Sequence, residues 1–339
     1  MHAAAISPRG GVSPRDTRLR GQSIIEYVLI IAIIGLVIVF AGPGVAGVIR
    51  NQFNLVGNTV NNGTSAGTEG GGASGGGSTG TASATVQAAI AKDAKDWTLD
   101  EQEAVAKDIA AKGEASPAYA KAKAAMDAGT EFSTPTRSGS SLLKYRIIGI
   151  NHDDLADGSG KAGLTFLVTS DNINVNGDTM NTTDTNVGGW EKSEMRQKLN
   201  SGRIWARLST DFQSKVKAVT KLTNNVGGDD KNAAVTATTD KLFLLSYSEM
   251  VDAPYSYWAQ NYPWISSEGT QYEAFKGKIS VFSKSGNASS PNGEQCWQRS
   301  THPGDSTGFL YSDYSNQPTW PNYYFATSFS QDIFPAFCF

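Results

Sequence analysis

Cysteine and histidine are scarce in this 339-residue chain, which holds two Cys, at 296 and 338, and three His, at 2, 152 and 302. A disulfide-stapled framework and a Cys-rich zinc module are excluded, and little is left for a histidine-rich metal centre. Charge is thin as well: 18% of residues are charged, against about 25% in an average globular chain. The formal net charge is −3 and no basic stripe is present. A nucleic-acid partner is therefore not expected, since phosphate affinity needs clustered Lys and Arg. No heptad pattern persists long enough for a coiled coil. No catalytic constellation stands out, so neither an enzyme nor a cofactor is expected.

What is present is sharply zoned. Residues 22–85 carry three charges only, Glu26, Arg50 and Glu69. Within them, residues 28–49 form an uncharged run of 22, long enough as a helix to span the roughly 30 Å hydrocarbon core of a bilayer. Residues 1–21 carry Arg9, Arg15, Arg18 and Arg20 against Asp16. That bias predicts a basic cytoplasmic leader, a single-pass transmembrane precursor and export of everything beyond it. A cleaved signal peptide is the competing reading, but its apolar region is ordinarily shorter. A permanent one-span anchor is another.

The junction of leader and apolar run is more specific. Arg20-Gly21-Gln22-Ser23-Ile24-Ile25-Glu26-Tyr27 sets one carboxylate at the start of an apolar stretch, where an unpaired charge is costly and calls for a partner. The segment resembles the N-terminus of Flp-type pilins of the tight-adherence class in the type IV filament superfamily. The resemblance covers residues 18–56 and implies cleavage by a prepilin peptidase between Gly21 and Gln22. Glu26 becomes the fifth residue of the mature chain and Tyr27 the sixth, and Glu26 pairs with the new α-amino group during assembly with other pilin subunits. Residues 22–56 are then a transmembrane assembly helix, resident in the membrane before assembly.

Residues 57–85 contain ten Gly and no apolar period, the composition of a flexible linker. Residues 86–140 carry helix signals: Thr98-Leu99-Asp100-Glu101 is a capping-box pattern with Gly113 as a stop, and Ser116-Pro117 offers an N-cap ahead of a helix ended by Gly129. From about residue 141 short apolar runs bounded by turn residues predict strands at 143–150, 163–169 and 241–246. Helices are predicted over 190–199 and after Thr210, in a capping box read as Thr210-Asp211-Phe212-Gln213. Residues 141–339 thus read as an extracellular α+β head.

RIIGINHDDL (146–155), AGLTF (162–166), GGWEKSEMRQKLN (188–200), TTDKLFLLSYSE (238–249), CWQRS (296–300) and PAFCF (335–339) resemble a family of uncharacterised bacterial surface domains. Its closing motif is similar to the C-type-lectin-like architecture of formylglycine-generating enzymes, which implies that fold for the head. Those enzymes use a pair of reactive cysteines, whereas Cys338 sits in an apolar run that reads as a final core strand. Outside the cell a Cys296–Cys338 disulfide competes with two buried thiols. Arg299 is expected to bridge core carbonyls or a carboxylate. His152-Asp153-Asp154 reads as a turn after a strand before it reads as a base with carboxylates. Residues 172–183 mimic an EF-hand loop but lack its first and last acids, so no metal is expected.

Aromatic residues in polar, loop-like sequence are candidates for a contact face: Tyr255, Tyr257, Trp258, Trp264, Trp320 and Tyr323. The chain as a whole reads as a minor pilin-like subunit displaying an adhesive domain for a glycan or protein on another surface. The alternative is an anchored surface binding protein with no filament role.

Overall fold

The computed structural model describes residues 83–170, 177–278, 296–312 and 324–339. All lie in the second of the two units into which the chain divides, Gly67–Phe339. Three helices open the domain: α1 (Ala84–Ala91), α2 (Leu99–Lys112) and α3 (Tyr119–Asp127). Thr98 and Glu101 close the expected capping box on α2, each side chain bonded to the other's backbone N–H, and Gly113 ends it in the left-handed region at φ 58°. Ser116 behaves differently from its expected role. It accepts from the Ala118 N–H and donates to Asp108, and Ala118 caps α3.

The strands are β1 (Glu131–Pro135), β2 (Leu142–Ile150), β3 (Leu164–Val168), β4 (Val219–Asn224), β5 (Val235–Asp240), β6 (Leu242–Phe243), β7 (Cys296–Thr301), β8 (Gly308–Ser312), β9 (Tyr324–Ala326) and β10 (Ala336–Cys338). They form three antiparallel sheets, ordered β1-β2-β3-β10-β6, β4-β5 and β7-β8-β9. β10 enters between β3 and β6, pairing Phe337 with Phe166 on one side and with Leu242 on the other. Its five flanking and member residues from Pro335 to Phe339 are almost all apolar because a strand buried on both faces has no wet side. Helices α4 (Gly189–Lys192), α5 (Glu194–Asn200), α6 (Thr210–Lys215), α7 (Tyr247–Met250) and α8 (Ser256–Asn261) fill the connections.

Residues 84–127 and the strands share one core. Val105, Ala106 and Ile109 of α2 are buried with Phe132, Tyr145, Phe166 and Phe337. Contact between α2 and β3 is close enough that a Cβ at Gly163 would lie 1.8 Å from the Ala106 carbonyl oxygen, so only glycine fits.

The expected fold class needs correction. Among the described residues no helix is long and apolar enough to cross a membrane, and the domain is a mixture of helices and antiparallel sheets. The segment expected as a transmembrane pilin helix, residues 22–56, lies outside the described residues, as do the leader and most of the linker. Local boundaries also move. The helix expected over 190–199 breaks at Ser193, whose hydroxyl accepts from the Arg196 N–H and starts α5. The cap of α6 is Ser209, one residue before the expected Thr210, because Ser209 is still extended at ψ 153°. The strand expected over 241–246 stops at Phe243, since Ser246 opens a second capping box with Glu249.

Candidate functional site

β2 ends in a turn in which Asn151 takes φ 50°, a left-handed value that Asn tolerates better than most residues. The turn splits the His-Asp-Asp cluster three ways. Asp154 is exposed and takes an ion pair from Lys161 at 2.9 Å. His152 turns to Glu273, 3.2 Å from Nδ1, and stacks on Tyr272 with ring centroids 4.0 Å apart. A Cβ at Gly149 would come within 2.9 Å of that tyrosine ring. Asp153 points inward and is buried.

Asp153 starts a chain of charges through the interior. Lys221 Nζ lies 2.6 Å from Asp153 Oδ1 and 2.5 Å from Glu249 Oε1. Thr165 Oγ1 donates to Asp153 Oδ2 at 2.6 Å, and the Tyr272 hydroxyl lies 3.0 Å from both carboxylate oxygens. Glu249 is gripped from the other side by Arg299, through Nη1 to Oε2 and through Nη2 to Oε1 at 2.9 Å. The rest of the guanidinium fork donates to the Thr223 hydroxyl and to the carbonyls of Leu244, Leu222 and Glu268. Arg299 therefore bridges both a carboxylate and core carbonyls.

Burial alone would raise the Asp153 carboxyl, but Lys221, His152 and the hydrogen bonds from Lys221 and Thr165 overcome it and hold the acid well below its ordinary range. Burial works against the Lys221 ammonium, and Asp153 with Glu249 more than offsets that, so its pKa rises. For Glu249 burial is likewise outweighed, by Arg299 and Lys221. Glu268 is the exception. Its carboxylate receives the Ser300 hydroxyl and the Asn224 N–H at 2.8 Å, and Arg299 meets its backbone carbonyl instead of its side chain. Burial dominates there and pushes the acid up to about 7.

Sequence reasoning missed Lys221, Glu249 and Glu268. One signal was available: Val219, Lys221 and Thr223 share the inward face of β4 by alternation. The Ser246…Glu249 pair also had capping-box spacing, hidden inside an apolar string.

The two cysteines are free thiols, the second of the two alternatives that the sequence left open. Cys296 lies on β7 and Cys338 on β10, in different sheets, and both are buried. Burial pushes the Cys296 thiol up to about 12. Burial also raises Cys338, with the Asp153 charge adding to it; its Sγ lies 3.4 Å from Thr165 Oγ1. Among the described residues no group of three His, Cys, Asp or Glu is placed to hold a metal ion.

The candidate contact aromatics divide between core and surface. Trp258 and Trp264 are 3% exposed. Trp264 Nε1 donates to the Asp230 carbonyl at 3.0 Å, and Trp258 packs edge-on against Tyr247 and His302. Tyr255 is half-buried, and its N–H donates to the Tyr247 hydroxyl at 3.3 Å. Tyr257 is 57% exposed, its ring 6.3 Å from that of Tyr255. Behind this surface, the Tyr247 N–H donates to Ser300, whose hydroxyl donates to Glu268, so the aromatic face is tied to the charged interior. Trp320 and Tyr323 lie outside the described residues, as do Gly21, Gln22, Glu26, Tyr27 and residues 172–176 of the EF-hand-like stretch 172–183.

Residues 163–339 match a family model described as Domain of unknown function (DUF6273). The chain belongs to the DUF6273 family. The matched region contains Lys221, Glu249, Glu268 and Arg299, while Asp153 precedes it. No curated protein and no solved structure matches the chain.

Proposed function

We propose that this DUF6273 protein is a minor pilin-like subunit of the tight-adherence class and that its folded domain is a binding module with no turnover of its own. The observation that carries the binding reading is the contrast between Tyr257, exposed on a short helix, and the buried charges behind it, which are taken up by one another. A side chain held by two or three buried partners is poorly placed to act on a substrate. An exposed ring beside Tyr255, which itself packs edge-on against Trp258, offers contact area at small entropic cost. The partner is a glycan or protein on another surface.

The pilin reading rests on Gly21-Gln22 and Glu26-Tyr27, followed by a Gly-rich linker that leads to the domain. Prepilin peptidase and neighbouring pilin subunits are the partners of that segment, and the domain is displayed outside the cell.

N-terminal sequencing of the protein from cells carrying a prepilin peptidase tests the assignment. A mature chain starting at Gln22 and recovered with sheared filaments is expected. A chain starting at Met1, or one absent from filaments, overturns the pilin role. Glu26→Ala is expected to be cleaved normally and lost from filaments, because its charge sets subunit register and takes no part in peptide cleavage.

A further inference from the structure

Of the lysine ion pairs among the described residues, those of Lys221 are the ones with both partners fully enclosed, as the Arg299–Glu249 pair beside them is. Lys198 and Arg196, which hold Asp178 and Asp240, remain 19% and 24% exposed. Lys215 is buried, but its partner Asp100 is 78% exposed. Lys221 and Asp153 are 4% and 2% exposed, and the Phe243 ring lies 4.2 Å from Nζ. A second carboxylate, Glu249, touches the same nitrogen. Two hydroxyls, from Thr165 and Tyr272, converge on Asp153 Oδ2.

These are the parts needed for amide formation: an amine in contact with a carboxyl group, hydroxyl donors where an oxyanion develops, and a neighbouring group to carry protons. We propose that Lys221 and Asp153 condense within the folded domain to an intramolecular amide.

The proton balance is closed within the cluster. The ion pair is the favoured form, held by its partners, and the reacting species is the minor neutral one, reached when the Lys221 ammonium passes one proton to Asp153 across their 2.6 Å contact to give an amine and a carboxylic acid. Nζ attacks Cγ, and negative charge gathers on Oδ2, where the Thr165 and Tyr272 hydroxyls already donate. Glu249 takes the second proton from Nζ as the N–C bond forms and gives it up to the departing Oδ1. The Cγ–Oδ1 bond breaks, and one water leaves. No oxidant or co-reactant enters.

The product keeps the existing partners. Its carbonyl oxygen accepts from Thr165 and Tyr272, its N–H donates to Glu249, and Glu249 retains Arg299. Condensation also removes two charges from a water-poor interior, where each carries a desolvation cost, and leaves Glu249 and Arg299 as a compensated pair. The bond ties the turn after β2 to β4, across 68 residues of sequence.

Mass spectrometry of the full-length protein, denatured and reduced, tests this directly. The chain is expected to be lighter than its sequence by one water, about 18 Da. Trypsin is expected to release residues 147–161 joined through Asp153 to Lys221 of residues 218–231, with no cleavage after Lys221. Recovery of the two peptides separately, with cleavage after Lys221, overturns the proposal. A lost water without the branched peptide also overturns it, since another bond then accounts for the mass. Lys221→Arg is expected to restore the full mass, and Glu249→Gln to leave most of the chain unbridged. Full bridging in Glu249→Gln refutes the proton-carrying role of Glu249. Should either variant fail to fold, the wild-type digest still decides.

Discussion

One half of the interior is built from rings and the other from charges. Around β10, Phe166 and Phe337 stack with centroids 5.2 Å apart, and Phe212 and Tyr145 meet Phe337 edge-on at 4.8 and 5.2 Å. Each ring there touches several others, and the attraction is weakly directional, so loss of one leaves neighbours that can partly relax. Around Glu249 every partner is specific. Arg299 serves Glu249 and four other acceptors, and no other cation can replace its fork. Burying charge adds little net stability when all partners are present, but removing one partner strands the rest. The ionic half should therefore be the more brittle, and the only half that responds to pH.

The largest effect is expected for Arg299→Ala, which strands Glu249 and several carbonyls and should cost about 5 kcal/mol. Denaturant unfolding followed by tryptophan fluorescence measures it. A loss below that of a single phenyl truncation would erase the contrast between the two halves. Phe337→Ala should cost about 4 kcal/mol by cavity formation, with the same loss at pH 5 and pH 8 because no charge is involved.

A smaller, pH-dependent effect belongs to Glu268. Its ordinary value of 4.5 is raised to about 7 in the folded domain, so between those values the folded state holds a proton that the unfolded chain has released. Its contribution is fully present below about pH 4.5, falls as pH rises through 7 and is flat above, a change of about 3 kcal/mol. Glu268→Gln should abolish this slope, since an amide can still donate to Ser300 and accept from Asn224. A slope unchanged in that variant would assign it to another group. The smallest stability effect is expected for Tyr257→Ala, within about 0.5 kcal/mol. Adhesion of cells displaying the variant should nevertheless fall, and undiminished adhesion would remove Tyr257 from the contact face.

Much of the local architecture was legible from short-range chemistry. The capping box at Thr98 and the stop at Gly113 use groups within one turn of each other, and both form as expected. The inward alternation of β2 is likewise a property of neighbouring residues. Errors arose where two local signals competed. Leu244 and Leu245 continue an apolar run, but Ser246 and Glu249 bond to each other's backbone and turn the chain into α7. For the cysteines, composition supplied two thiols and no information about their sheets.

The sequence alone determined the zoning of the chain, the cap that starts α2 and the apolar character of the final strand, because each depends on residues close together along the backbone. Tertiary structure decided that Trp258 and Trp264 are core residues while Tyr257 is exposed. It also decided that Cys296 and Cys338 stay apart. The same holds for the meeting of Asp153, Lys221, Glu249 and Arg299, which come from a turn, two strands and a short helix. A buried charge is tolerable only where its partner arrives, and that partner is 68 residues away for Asp153 and Lys221 and 50 for Glu249 and Arg299. No local pattern encodes such a meeting; the packing of the sheets creates it.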